Sequence, residues 1–188
     1  MKFKIENTKV YGIEEAIVNS GNSYRTLLRD VSDINDKDYI RCEKLGKVDV
    51  GTGHDTFLNG IVVTMNITAP LYWWKQAQRY HWLEFVSSQS TMHCVLKFNI
   101  KKQCVKEVDE EIIKRMEYLI NQYNKEPSEN LWYTIIASLP SGFCLGASIV
   151  TNYRQLKTIC KQRKGHKLKE RGIFIDWCDS LPNFKTLC

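Results

Sequence analysis

The chain has 188 residues, 43% of them hydrophobic and 26% charged, and a formal net charge of +6. That length and apolar content suffice for one domain, 1–188, with its own core, and exclude a disordered chain. No apolar run approaches the roughly 20 residues of a membrane span, and "MKFKIENTKVYGIEEAIV" lacks the apolar centre of a signal peptide, so a soluble cytoplasmic protein is expected.

Residues 11–19, "YGIEEAIVN", suit a short amphipathic helix that ends near Gly21. "NSYRTLLRDVSDINDKDY", residues 22–39, reads as a second helical piece followed by a polar loop. Residues 61–68, "IVVTMNIT", are rich in β-branched side chains and read as a strand. Ala69-Pro70 then opens a helix, at a position where proline's missing N–H costs nothing, and this helix carries Trp74, Gln76 and Arg79. The clearest helix spans 107–124: Asp109 can cap it, and Ile112, Ile113, Met116, Leu119, Ile120 and Tyr123 recur at helical spacing. "KEPSEN" is a loop, 130–138 is helical, and Pro140-Ser141-Gly142 breaks the chain. "GASIVTNYRQLKTICKQRK", 146–164, is predicted as one long helix. Leu156 and Ile159 lie on one face, and Arg154, Lys157, Lys161 and Lys164 on another. "GHKLKERGIFIDWCDSLPNF" closes the chain without an assigned element.

Two segments have a composition that neither a plain surface nor a plain core requires. "KQAQRYHWLEFVSSQSTMH", 75–93, mixes cations, two histidines and four hydroxyls with apolar residues. "NYRQLKTICKQRKGHKLKER", 152–171, is the densest basic stretch; it suits phosphates, or else is a solvated helix face. The seven cysteines (Cys42, Cys94, Cys104, Cys144, Cys160, Cys178, Cys188) show no Cys-x-x-Cys spacing and read as reduced thiols, mostly core filler. "VSSQST" lacks the glycines of a serine-nucleophile elbow. His54, His81, His93 and His166 form no i, i+4 pair with a carboxylate, so no metal site is predicted. There is no glycine-rich phosphate loop; Gly51-Thr52-Gly53 is too short.

Residues 53–81, "GHDTFLNGIVVTMNITAPLYWWKQAQRYH", form a more specific pattern. Gly53, His54, Asp55 and Thr56 lead into Ile61, Val62 and Thr64, then Ala69, Pro70, Lys75 and Gln76, then Arg79, Tyr80 and His81. This order resembles the core of flavin-dependent thymidylate synthases, the ThyX family. There a Gly-His-Glu-Thr turn precedes a strand, and an Ala-Pro helix ends in Arg-His-Arg. With one inserted residue, "FVSSQSTM" falls on the family's Ser-x-Asn-x-x-Ser-x-Arg, with Ser87 for the Asn, Ser90 for the second Ser and Met92 for the Arg. A second block, "LPSGFCLGASIVTNYRQLKTICKQR", resembles the family at Leu139, Pro140, Asn152, Arg154, Leu156 and Arg163.

The resemblance implies an α/β (α+β) fold: a central, mostly antiparallel sheet with long helices packed at the core of a homotetramer. It implies FAD as cofactor, with NADPH and methylene-tetrahydrofolate as co-substrates. The one-carbon unit passes through reduced flavin to the uracil ring of dUMP, giving dTMP. The cofactor carries the hard chemistry, so no side-chain nucleophile is needed. Carried over residue by residue, the flavin contacts are His54, Thr56, Arg79, Tyr80, His81, Asn152, Arg154 and Thr158. The nucleotide contacts are Gln76, Arg79, Ser88, Ser90 and Arg163. Arg163 is the catalytic residue implied, because a fixed guanidinium beside the pyrimidine favours its ionised form. Trp73 and Trp74 are expected to pack. The chain departs from the family where Asn59 replaces an acidic residue, and where Met92 and Ile136 replace arginines that help grip dUMP. Lys97, Lys101 and Lys102 are candidates to compensate. The picture is a compact, phage-like relative. The alternatives are a relative acting on another pyrimidine nucleotide, for example by hydroxymethylation, and a flavinless protein of the same fold that binds nucleotide or nucleic acid.

Overall fold

The computed structural model describes residues 2–80, 83–163, 165 and 167–188. In chain order the elements are β1 (Lys4–Tyr11), α1 (Ile13–Asn19), α2 (Asp36–Gly46), β2 (Val62–Pro70), α3 (Leu71–Ala77), β3 (Glu84–Ser88), α4 (Thr91–Cys94), α5 (Ile100–Gln103), α6 (Glu110–Lys125), α7 (Glu129–Ala137), β4 (Cys144–Asn152), α8 (Tyr153–Arg163), α9 (Lys169–Asp179) and α10 (Phe184–Leu187). The strands form one antiparallel sheet in the order β1-β2-β4-β3, the expected α+β class. The β2–β4 register is pinned along its length. Leu71 N–H donates to Phe143 O at 2.9 Å, the Ser148 hydroxyl to Asn66 Oδ1 at 2.8 Å, and Tyr153 N–H to Ile61 O at 3.0 Å.

The single helix expected over 146–164 is a strand up to Asn152 and a helix from Tyr153. The reason is visible in the burial: Ala147, Ile149 and Thr151 point inward and alternate with less buried neighbours, the period of a strand. Asn152 then starts the helix, its side chain accepting Gln155 N–H at 3.0 Å. β2 follows the expected strand but runs on to Pro70, which takes the N-cap position of α3. Residues 22–34 hold two short 3-10 turns, Asn22–Tyr24 and Val31–Asp33, and no helix. The regular helix begins later, at Asp36, where Asn35 and Asp38 form a reciprocal capping box. β1 and β3 were not foreseen. β3 is exposed throughout, and β1 is polar and has no fully buried position, so neither carries an apolar alternation to read.

The chain packs as two compact units. The first comprises the residues up to Glu6, Asn66–Arg79 and Phe85–Ser148. Its core joins Ile113, Met116, Leu119 and Ile120 of α6 to Val95, Ile100, Ile135 and Phe143. The expected apolar stripe thus forms the core, except that Ile112 is exposed and Tyr123 lies at its margin. Trp73 and Trp74 pack edge to face at 4.9 Å, and the Trp74 indole N–H donates to Leu145 O at 3.1 Å, so both serve packing.

The second unit comprises Asn7–Met65, Tyr80–Glu84 and Ile149–Cys188. Ile17, Cys42, Leu58, Ile61, Tyr153, Leu156, Phe174 and Leu187 are buried in it. Each large aliphatic contributes roughly 1.5–3 kcal/mol of transfer free energy. α10 lies so close to α2 that a Cβ on Gly46 would collide with the Leu187 carbonyl. All seven cysteines are free thiols, and Cys42, Cys104, Cys144 and Cys178 are buried.

Polar order in the second unit centres on Asp38, a buried carboxylate that Arg25, Arg29 and Arg41 approach at 2.8, 3.0 and 2.7 Å. Burial by itself would raise its pKa. The Arg41 hydrogen bond, the Asn35 N–H and the charges of Arg41 and Arg29 together outweigh burial and hold it below the usual carboxylate value. The folded value lies below the unfolded one. The carboxylate's contribution is therefore complete above the unfolded pKa of about 3.9 and disappears as pH falls through the folded value. Asp38→Asn should lower the unfolding free energy by about 3 kcal/mol at pH 7, because three partly buried guanidiniums lose their counter-charge. Urea titration at pH 7 and again below pH 4 should show the gap to wild type closing in acid.

Candidate functional site

The Gly53-His54-Asp55-Thr56 segment is a tight turn that depends on its glycine. Gly53 has φ +83°, a conformation that other residues adopt only with strain. Thr56 closes the turn, its N–H donating to Gly53 O at 3.2 Å and its hydroxyl to the same carbonyl. Asp55 points inward and is fully buried. It accepts from Arg154 Nε at 3.0 Å and from Lys157 Nζ at 3.1 Å, and Lys157 also donates to Val48 O at 2.9 Å. The two motif blocks therefore meet at one carboxylate, through Asp55 and Arg154, which are 99 residues apart in sequence. Lys157 is buried, so the alternative of a solvated face fails at this member of the basic face expected for Arg154, Lys157, Lys161 and Lys164, the last of which lies outside the described residues. Lys161 does lie outside and pairs with Asp49 at 2.6 Å, a bond that holds the Asp49 carboxyl below its ordinary value.

The turn presents His54 and Thr56 outward, to a cavity of about 500 Å³ whose wall includes Ser20, Ser23, Tyr24 and Phe57. At the end of β4 and on α8, three expected flavin residues each spend one group on the protein. Asn152 Oδ1 caps the helix, Arg154 Nε binds Asp55, and the Thr158 hydroxyl donates to Arg154 O at 2.9 Å.

At the far end of α8 stands a cationic–aromatic cluster. The guanidinium carbon of Arg163 lies 5.0 Å from the Tyr80 ring centroid, and that of Arg171 lies 5.4 Å from the same centroid. Such contacts are favourable because the ring face is negative. Arg171 is 1% exposed. Burial first, and the Arg163 charge second, push its pKa down to about 10, so it stays protonated at neutral pH. Arg163 Nε and the Tyr80 hydroxyl are both sequestered from solvent without a hydrogen-bond partner among the described residues. Sequence reasoning picked out Arg163 and Tyr80 but missed Arg171, whose one signal is its place in the basic stretch.

In the first unit, Ser88 lies in a shallow concavity of about 390 Å³ lined also by Asn66, Thr68, Ser87, Gln89 and Ser148. Gln89 braces it: its N–H donates to Gly146 O and its Oε1 accepts Gly146 N–H, each at 2.8 Å. Ser90 opens α4 as its N-cap residue. α3 carries Gln76, whose Oε1 is buried without a described partner, and ends before Arg79, which is exposed. His81 lies outside the described residues. Met92 is 48% exposed, and Ile136 packs against the core of the first unit. Of the candidate compensating lysines, Lys101 pairs with Glu110 at 2.7 Å, while Lys97 and Lys102 are exposed. Among the described residues no group of three or more His, Cys, Asp or Glu is placed to hold a metal ion, and no helix is long and apolar enough to cross a membrane.

No protein-family model and no curated protein matches the sequence. Solved structures do match. Two crystal structures of the flavin-dependent thymidylate synthase ThyX from Helicobacter pylori with FAD and dUMP give TM-scores of 0.72 and 0.71 at 14% and 13% identity. They cover 99% of this chain and 96% and 95% of theirs. The UMP/dUMP methylase PolB from Streptomyces cacaoi, bound with 5-Br dUMP, gives 0.68 at 13% identity over 98% of this chain and 94% of its own. At such identities the likeness establishes the fold.

The buried triad makes a direct prediction. Asp55→Asn leaves the buried Lys157 charge without its counter-ion and should cost about 3–5 kcal/mol in urea unfolding. Asp55→Asn combined with Lys157→Met should recover a large part of that loss, as a double-mutant cycle would show.

Proposed function

We propose that this chain, whose fold is that of the flavin-dependent thymidylate synthases, binds FAD and a uracil nucleotide and transfers a one-carbon unit to the uracil ring, with dUMP as substrate and dTMP as product. NADPH and methylene-tetrahydrofolate serve as co-substrates. The observation that carries the reading is Arg163, a guanidinium whose sequestered Nε has no hydrogen-bond partner among the described residues, set against an aromatic ring at the position the resemblance assigns to the pyrimidine activator.

The residues present fit a flavin. The cavity beside the His54–Thr56 turn is within the roughly 300–1,000 Å³ of cofactor sites, at about 500 Å³, and offers Tyr24 and Phe57 rings beside the Thr56 and Ser23 hydroxyls. Of the residues that the resemblance assigns to the flavin, His54 and Thr56 line this cavity, while Asn152, Arg154 and Thr158 lie outside its wall and would reach the cofactor from the start of α8. When bound, the reduced flavin supplies the one-carbon relay that no side chain here provides. The protein's own work is electrostatic. Arg163 stabilises negative charge on the pyrimidine, so its C5 becomes the nucleophilic carbon. Gln76, Arg79, Ser88 and Ser90 carry the nucleotide contacts that the resemblance assigns to them. The working form is a homotetramer, in which each site draws on several subunits.

A second reading keeps the chemistry and changes the pyrimidine. It is favoured by Ile136, which serves the core of the first unit where relatives use an arginine, and by Met92, exposed where they use another. Two apolar side chains in place of two cations change what a nucleotide meets at these positions, which leaves room for a pyrimidine nucleotide other than dUMP.

The purified protein should be yellow, or become so with added FAD. Arg163→Ala should keep the flavin bands and lower dUMP turnover by at least about 100-fold. A colourless protein that FAD does not reconstitute overturns the enzyme reading and leaves a flavinless nucleotide binder. Full turnover in Arg163→Ala removes that residue from catalysis.

A further inference from the structure

Arg171 has no counterpart in the motifs that brought the resemblance to light, yet it is the most deeply buried arginine of the basic stretch. Taking a guanidinium out of water is expensive, and placing it near a second one adds repulsion. The depressed pKa of about 10 reflects both. Arg171 and Arg163 nonetheless converge on one ring, 5.4 and 5.0 Å from its centroid. Around that ring two hydrogen-bond donors, Arg163 Nε–H and the Tyr80 hydroxyl, are sequestered without a described partner. Sequestered donors call for an acceptor, and beside two guanidiniums an acceptor with negative charge fits best. Arg163 and Tyr80 are each part-exposed, so the cluster is reachable from solvent.

We propose that Tyr80, Arg163 and Arg171 form one oxyanion site. Arg163 Nε–H and the Tyr80 hydroxyl are the contacting donors. Arg171 is a positioning residue: it holds the Tyr80 ring from within and adds a charge that raises the positive potential at the donors. Glu170, the carboxylate whose charge Arg171 feels, offsets that potential in part. The oxyanion is carried by a pyrimidine nucleotide, as its phosphate or as the ionised edge of its base; that identity rests on the functional reading above, whereas the site itself does not.

The test is calorimetric titration of the full-length protein, as purified, with inorganic phosphate, deoxyuridine and dUMP in separate runs. Wild type, Tyr80→Phe, Arg171→Lys and Arg171→Met are compared. Tyr80→Phe removes one hydroxyl with no described partner and should keep the fold; Arg171→Met is checked by thermal melting. Binding should weaken about tenfold in Tyr80→Phe and at least as much in Arg171→Met, and recover in Arg171→Lys, which keeps the charge. A response to phosphate alone assigns the site to the phosphate; a response to deoxyuridine assigns it to the base. In turnover with dUMP, the same variants should raise KM before they lower kcat if the phosphate sits there, and lower kcat if the base does. Wild type that binds none of the three overturns the proposal, as does equal affinity in Tyr80→Phe. Loss in Arg171→Lys as large as in Arg171→Met, with the fold intact, reduces Arg171 to packing. Phosphate binding with the expected pattern in a protein without flavin leaves this site standing while the enzyme reading falls. Normal flavin-dependent turnover with unchanged KM and kcat in Tyr80→Phe does the reverse.

Discussion

The candidate site depends on a single buried carboxylate. Asp55 is fully enclosed and satisfied by Arg154 at 3.0 Å and Lys157 at 3.1 Å, and through Lys157 by the Val48 carbonyl. Taking a carboxylate and an ammonium out of water costs several kcal/mol per ion, and their attraction repays it only with good geometry. Such a group contributes little net stability, and what it fixes is position. With Asp55 docked on α8, the φ +83° turn at Gly53 must direct His54 and Thr56 outward. The same docking fixes the first turns of α8, and with them Asn152 and Thr158. An apolar pair at 55 and 157 would bury as well, but it would not select one register of the turn against the helix.

Charge in this protein is therefore more structural than the net +6 suggests. Arg25, Arg29 and Arg41 converge on Asp38, Arg154 and Lys157 on Asp55, and Lys161 on Asp49. A basic stretch in a sequence marks where cations are dense, not where they face a ligand. In 152–171, the structure separates the cations that bind Asp55, at 154 and 157, from those gathered on Tyr80, at 163 and 171.

This separation also shows what could be read in advance. The α6 stripe, β2 and the α3 start were legible because each carries a strong local signal: a helical apolar period, a β-branched run and a proline at a helix entrance. β4 was misread because "GASIVTN" joins directly to a helical pattern with no glycine or proline at the junction. The signal there was Asn152, a capping residue that the family resemblance had drawn toward the flavin. β1 and β3 left no trace because strands without a buried face have no alternation. Among the candidate residues, short motifs singled out His54, Thr56, Tyr80, Arg154 and Arg163. The burial of Lys157 and Arg171 was not readable, since a long basic side chain is written alike whether it ends in water or against a carboxylate or a ring.

Tyr80 stands where the resembled motif has a histidine, and the surroundings account for the exchange. A ring approached by two guanidiniums must tolerate positive charge on its face. A phenol does so because its π face is negative and the ring carries no proton-binding nitrogen. An imidazole there would face two cations and be held neutral, with one ring nitrogen accepting and one donating, so it would lose the cationic form that makes histidine useful near phosphates. The tyrosine and the buried arginine are thus coupled choices. Arg171 at 5.4 Å is compatible with an aromatic neighbour of fixed charge, and Tyr80 gains from Arg171 a rigid backing that a solvent-facing cation would not provide. A departure that first reads as a loss of positive charge, histidine to tyrosine, sits in this chain beside an arginine that restores it from within.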